Sequence, residues 1–153
     1  MKLSEVIEKE GEPGTYAAVR FDKRTINALK KFAEKVGVAG DYDNWHATLL
    51  YSRKHLPNYQ PIEKYTKPFI GTPIGLDLFG PEKNALVVKF SCPQLYQRHH
   101  KLMQQHGATY DFDLYEPHVT LSYDAKDIDL ESLPEFKSKI KIIGEYSEDL
   151  DAS

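Results

Sequence analysis

Two segments of the chain carry the same six-residue phrase. His46-Ala47-Thr48-Leu49-Leu50-Tyr51 and His118-Val119-Thr120-Leu121-Ser122-Tyr123 both read His-x-Thr-Leu-x-Tyr. Imidazole takes up or releases a proton near neutral pH, and a hydroxyl donates a hydrogen bond to an oxygen that is gaining charge. Both segments are short, alternating and rich in β-branched or aromatic residues, as strands are. Residues i and i+2 of a strand point to one face, so each copy sets one imidazole beside one hydroxyl. Two such pairs supply a general acid, a general base and a cradle of hydrogen-bond donors. That set suffices to split a phosphodiester without a metal ion.

Coincidence does not account for the match. Three identities at fixed offsets from a histidine pair arise roughly once in 10^4 at average residue frequencies. Six histidines offer too few pairs to make that a chance event. A duplicated structural strand would have no reason to keep histidine rather than valine at the repeated position.

The elements around the motifs repeat as well. Tyr16–Phe21 reads as a strand, and Asp22 can cap a following helix whose apolar face is Ile26, Leu29, Phe32, Ala33 and Val36. Gly37 stops that helix, and the loop Val38–Asn44 leads to the His46 strand. Ala85–Phe90 reads as the second such strand, with Ser91 or Cys92 as cap and Pro93 in the first turn of a helix that Gly107 ends. Another loop, Ala108–Pro117, leads to the His118 strand. A further strand follows each copy, in the Lys67–Phe79 region and at Ile140–Tyr146. The expectation is an α+β, bilobal domain spanning residues 1–153. Two pseudo-twofold-related antiparallel sheets enclose a central cleft lined by the two motif strands, with helices outside. Gly80–Asn84 is expected to be the turn between the lobes, Met1–Gly14 a peripheral segment, and Ser147–Ser153 a frayed acidic tail.

Composition narrows the class of partner. The formal net charge is −3, which disfavours a general nucleic-acid coat or a long polyanion track. The single cysteine, Cys92, excludes an internal disulfide framework and fits a reducing compartment. No apolar signal core or membrane-length run is present, so a cytoplasmic protein without a membrane partner is expected. Nothing in the sequence sets an oligomeric state.

Paired His-x-Thr strands in a duplicated α+β chain resemble the two-histidine (2H) phosphoesterase superfamily. Gly14–Ala18, Trp45–Lys54 and Ile142–Tyr146 are similar to its phage branch, the anti-CBASS nucleases of T4-like bacteriophages. The resemblance implies catalysis by His46, Thr48, His118 and Thr120, with neither metal nor cofactor. It implies a small cyclic oligonucleotide as substrate. It places Tyr16 and Glu145 as ligand contacts, and Trp45 as a base-stacking candidate beside the first motif. The rival readings are an RNA 2′,3′-cyclic or 2′,5′-phosphodiesterase and a non-catalytic nucleotide sponge. Two intact titratable pairs argue against a sponge.

Other residues have plainer readings. His99, His100 and His106 lie on one helix but lack zinc-ligand spacing, so His99 and His106 are expected as satisfied or half-buried residues. His55 reads equally well as part of a phosphate-attracting edge or as a solvated loop residue, and Arg53 and Lys54 as surface charge. Tyr110–Glu116 reads as a packed loop or a lid. Tyr51 lies three residues beyond Thr48 in a strand. Strict alternation therefore turns it, and Tyr123 with it, to the opposite face.

Overall fold

The computed structural model describes residues 12–38, 40 and 44–150. Two strand–helix–strand units are legible in it. The first comprises β1 (Gly14–Phe21), α1 (Lys23–Val36) and β2 (Ala47–Ser52). β3 (Phe69–Phe79) follows, then β4 (Ala85–Ser91), α2 (Pro93–His106) and β5 (His118–Ser122). A short 3-10 turn at Leu130–Ser132 precedes β6 (Ile140–Leu150).

Local chemistry sets the helix ends. The Asp22 carboxylate accepts from the Thr25 amide at 2.9 Å, capping α1. Gly37, at φ 77°, ends it with the left-handed turn that an L side chain resists. In the second unit Cys92 holds the cap position without a side-chain capping bond, Pro93 opens α2 and Gly107 ends it at φ 61°.

The strands form one antiparallel six-stranded sheet in the order β2-β1-β6-β3-β4-β5. Each lobe is therefore three strands, and the lobes join where Phe69–Gly71 of β3 pairs with Ile140–Ile142 of β6. The expected α+β bilobal architecture holds, with the two sheets fused edge to edge into one. The third strand of each lobe comes from the other half of the chain, since β6 completes the β1 lobe and β3 the β4 lobe. Gly80–Asn84 consequently joins β3 to β4 within one lobe; it is a hairpin turn and not the link between lobes. Gly71, Pro73 and Gly75 do not break β3. The irregularity is absorbed as a bulge at Ile74, between the pairs Pro73↔Phe90 and Gly75↔Lys89.

The tail also differs from expectation. Ser147–Leu150 continue β6 and pair with Gly14–Ala17 of β1, so backbone pairing holds these acidic residues. The remaining tail residues 151–153 and most of the expected peripheral segment, residues 1–11, lie outside the described residues. Leu29 and Phe32 of α1 and Leu95 and Leu102 of α2 are buried in the core that also covers Val19, Leu49, Leu86 and Val88 of the sheet. Burying a side chain of this size contributes about 1.5–3 kcal/mol. Core packing thus fixes the strands whose other face carries the polar motif residues. Among the described residues no helix is long and apolar enough to cross a membrane.

Candidate active site

The sheet's two outermost strands, β2 and β5, meet across a cavity of about 770 Å³ lined by Tyr16, His46, Thr48, Tyr51, His118, Thr120 and Tyr123 among others. All four motif side chains are thus brought together from opposite ends of the strand order. The loop before each motif strand holds its histidine in the same way. His46 Nδ1 lies 2.6 Å from the Asn44 carbonyl, and His118 Nδ1 lies 2.7 Å from the Glu116 carbonyl. A carbonyl only accepts, so each Nδ1 carries the proton and each neutral ring presents Nε2 as its basic nitrogen. Both clamps reach back two residues.

A bulge in each motif strand places the tyrosines. In β2 the pairing passes from Ala17↔Leu50 to Ala18↔Thr48, leaving Leu49 as the extra residue. In β5 it passes from Leu86↔Ser122 to Val87↔Thr120, leaving Leu121. The extra residue reverses the alternation beyond it. Tyr51 and Tyr123 therefore return to the cavity, contrary to the strict-alternation reading. The repeated leucine of the motif marks the bulge. Each bulge frees a carbonyl, and each carbonyl accepts from a ring nitrogen. His99 Nδ1 donates to Leu49 O at 2.7 Å and Trp45 Nε1 donates to Leu121 O at 3.2 Å. His99 is thus the satisfied core histidine expected from its helix face, stacked on Tyr115 at 4.0 Å between ring centroids.

The predicted ligand contacts are not all brought to the cavity. Tyr16 is, its hydroxyl 2.9 Å from Thr48 Oγ1 and its ring edge-on to His46 at 6.1 Å. Burial holds this phenol far above its ordinary pKa, so it stays protonated. Trp45 borders the cavity, but its ring is buried and clasps one lobe to the other. Glu145 is elsewhere. It is fully buried on the opposite face of β6, receiving Tyr59 Oη at 2.8 Å, Tyr65 Oη at 2.7 Å, the Ile62 amide at 3.1 Å and Arg98 through both Nε and Nη2. Burial opposes its charge, but Arg98, Tyr65, the Ile62 amide and Tyr59 hold it below the usual carboxylate range. A carboxylate so fully engaged does not face a ligand in the cavity.

The acid on the cavity side of β6 is Glu148, opposite Tyr16 in the pairing. It shares a cavity of about 580 Å³ with Arg20, His46 and Tyr146. The Arg20 guanidinium lies 4.9 Å from the Tyr146 ring centroid. Sequence reading missed Arg20, Tyr146 and Glu148. Their alternation with buried Val19 and Glu145 was the available signal.

In the other lobe Lys89 sits directly across from His118, its ammonium 3.5 Å from Asp77. Burial lowers the His118 pKa; the Glu116 carbonyl and carboxylate oppose this, while His46 and Lys89 reinforce it. Loop 108–117 runs from Thr109, which accepts from the Arg53 amide, to Tyr115, whose hydroxyl donates to Thr48 O at 2.6 Å. Its Asp111 is paired with the Arg53 guanidinium. The described residues contain no group of three or more His, Cys, Asp or Glu able to hold a metal ion.

Comparison with known proteins gives one family. Residues 13–153 match the family described as "Anti-CBASS protein Acb1". The protein of that name from Vibrio phage KVP40 is 34% identical over 155 residues, covering 99% of this chain and 95% of the relative. The one from Acinetobacter phage Ac42 is 36% identical over 154 residues, covering 99% and 97%. The one from Enterobacteria phage T4 is 27% identical over 118 residues, covering 76% of each. Among solved structures, E. coli LigT complexed with NADP+ superposes with a TM-score of 0.58 at 19% identity, covering 90% of this chain and 87% of LigT. That likeness establishes the LigT-like 2H phosphoesterase fold.

Proposed function

The chain belongs to the anti-CBASS protein Acb1 family, and on that premise we propose that it is a metal-independent phosphodiesterase that opens small cyclic oligonucleotide signals in a phage-infected cell. The observation that carries the reading is the pair of carbonyl-clamped histidines on one cavity, each with its threonine.

In this reading His118 starts as the base. Its lowered pKa keeps the ring neutral near pH 7, with Nε2 free to accept. It takes the proton of a ribose 2′-OH, and the freed oxygen attacks the neighbouring phosphorus. The bond from phosphorus to the 5′-oxygen breaks, and His46, entering protonated, gives its Nε2 proton to that leaving oxygen. Thr48 and Thr120 donate to the non-bridging oxygens as they gain charge. The products of this step are a 2′,3′-cyclic phosphate and a free 5′-hydroxyl. Tyr16, the tyrosines returned by the bulges and Glu148 supply stacking surface and a hydrogen-bond acceptor for the bases. The mildly acidic chain fits a compact ligand better than a polymer.

The test is incubation of the protein with 3′,3′-linked ribo-cyclic dinucleotides, in EDTA, beside their all-deoxy counterparts. Cleavage of the ribo ring alone is expected, since the nucleophile belongs to the substrate. Equal cleavage of the deoxy ring would overturn the 2′-OH route. Activity restored only by an added divalent ion would overturn metal independence.

A further inference from the structure

The lobes correspond strand for strand. Arg20↔Gly144 in the first matches Lys89↔Gly75 in the second, and Tyr16↔Glu148 matches Ala85↔Phe79. Ladders fix the residues within each lobe, but not the width of the cavity between them. β2 and β5 stand at opposite ends of the strand order and share no ladder. The sheet joins the lobes elsewhere, through Phe69↔Ile142, Ile70↔Lys141 and Gly71↔Ile140. Both histidines and both threonines must nevertheless meet one phosphate, and reacting groups tolerate little displacement.

Two buried aromatic side chains cross that gap in opposite directions. Trp45 lies between Asn44, whose carbonyl holds His46, and His46 itself. Its Nε1 donates at 3.2 Å to the carbonyl of Leu121, the residue after Thr120. Tyr115 directly precedes Glu116, whose carbonyl holds His118. Its hydroxyl donates at 2.6 Å to the carbonyl of Thr48. The clamp of each histidine is therefore bonded to the threonine strand of the other lobe. Burial holds the Tyr115 phenol far above its ordinary pKa, so it remains a donor. His99 braces that ring, stacking on it at 4.0 Å while donating to Leu49 O.

We propose that Trp45 and Tyr115 are positioning residues that set the separation of the two His-x-Thr pairs, each tying one histidine clamp to the opposite threonine strand. The proposal rests on the two-histidine phosphodiesterase reading above and adds to it two residues that act through the motif side chains. A packing role would need only their rings. A positioning role needs their donors.

Trp45→Phe and Tyr115→Phe each keep an aromatic ring and remove the donor. In Tyr115→Phe the loop stays anchored, because Thr109 and Asp111 still bind Ser52 and Arg53. With 3′,3′-linked ribo-cyclic di-adenylate each variant should lower kcat by about 10-fold, within the ~10^2 that a misplacement of roughly 1 Å costs. Binding of the all-deoxy ring, which lacks the attacking hydroxyl, should change far less than kcat. Phe32→Leu, in the core beneath α1 and away from the cavity, is the destabilised comparison. Denaturant unfolding should show it weakened while its kcat stays at the wild-type value. Wild-type kcat in either Phe variant, deoxy-ring binding lost in proportion to kcat, or an equal fall of kcat in Phe32→Leu would overturn the proposal and leave the phosphodiesterase reading intact. A wild-type protein that does not cut the ribo ring would overturn both.

Discussion

The β2 lobe and the β5 lobe present the same histidine and threonine from differently built surroundings. The histidine clamps, the threonines and the leucine bulges repeat to within small differences of distance. Around them the lobes diverge. Thr48 is tied to the Tyr16 hydroxyl and its carbonyl to Tyr115, while the β5 lobe has Ala85 and Phe79 in the corresponding pairing. The freed bulge carbonyl is served from helix α2 in one lobe and from the first motif's own tryptophan in the other. Two identical imidazoles could share one proton, but unequal surroundings set which of them holds it.

Removing either imidazole should have the largest effect. His46→Ala and His118→Ala should each lower kcat by about 10^2–10^4, the usual worth of a general acid or base. A single variant keeping more than half its activity would remove that histidine from the comparison. His118→Ala alone should also abolish the rising limb of the pH profile.

The next largest effect lies outside the cavity and tests the Glu145 reassignment. Glu145→Ala leaves Arg98 buried without its partner, which typically costs about 3–5 kcal/mol of stability. Denaturant unfolding measures this. Linkage gives the pH direction. The folded pKa is below the ordinary value, so the stabilisation is full above about pH 4.3 and fades as pH falls through the folded value. Unchanged stability with a raised KM would return Glu145 to the ligand.

The motif residues were easier to read in the sequence than their surroundings. The motif quartet, the strand–helix–strand order and the Asp22, Gly37 and Gly107 helix signals could be read because each depends on local spacing. Tyr51 and Tyr123 could not, because a bulge changes parity and is visible only against the partner strand. Strand exchange escaped for the same reason. β3 and β6 look alike as apolar runs, and pairing across the lobes is a property of the whole sheet. Glu145 was misplaced because a resemblance assigned it to the ligand, whereas its burial among Tyr59, Tyr65 and Arg98 depends on residues far apart in the chain.

Tyr16→Phe probes the first lobe more gently. It removes the bond to Thr48 but keeps the ring beside His46. A hydrogen bond of about 0.5–1.5 kcal/mol is lost, which corresponds to roughly a 2- to 12-fold fall in kcat/KM if Thr48 donates in the transition state. Thr48→Val should cost more, near 10^2–10^3 in kcat, the range for one lost oxyanion donor. Adding Tyr16→Phe to Thr48→Val should then change nothing, since the hydroxyl it orients is gone.

The smallest expected effect bears most directly on the inequality of the lobes. The groups facing His118 are the Glu116 carbonyl and carboxylate, the His46 ring, the Phe79 ring and Lys89, itself paired with Asp77. Burial is the largest cause of the lowered His118 pKa, and Lys89 adds to it. As the base, His118 must be neutral, so kcat/KM should rise with pH along a limb below the ordinary histidine value of about 6.5. Lys89→Met removes a positive charge but keeps the apolar stem. The His118 pKa then moves back toward its ordinary value, and the rising limb shifts to higher pH. Asp77→Asn does the opposite: it strips Lys89 of its counter-charge and moves the limb to lower pH. Arg20→Met, at the corresponding position of the first lobe, should leave this limb where it is. If Arg20→Met moved the rising limb and Lys89→Met did not, the proton would enter through His46, and the roles assigned to the two lobes would exchange.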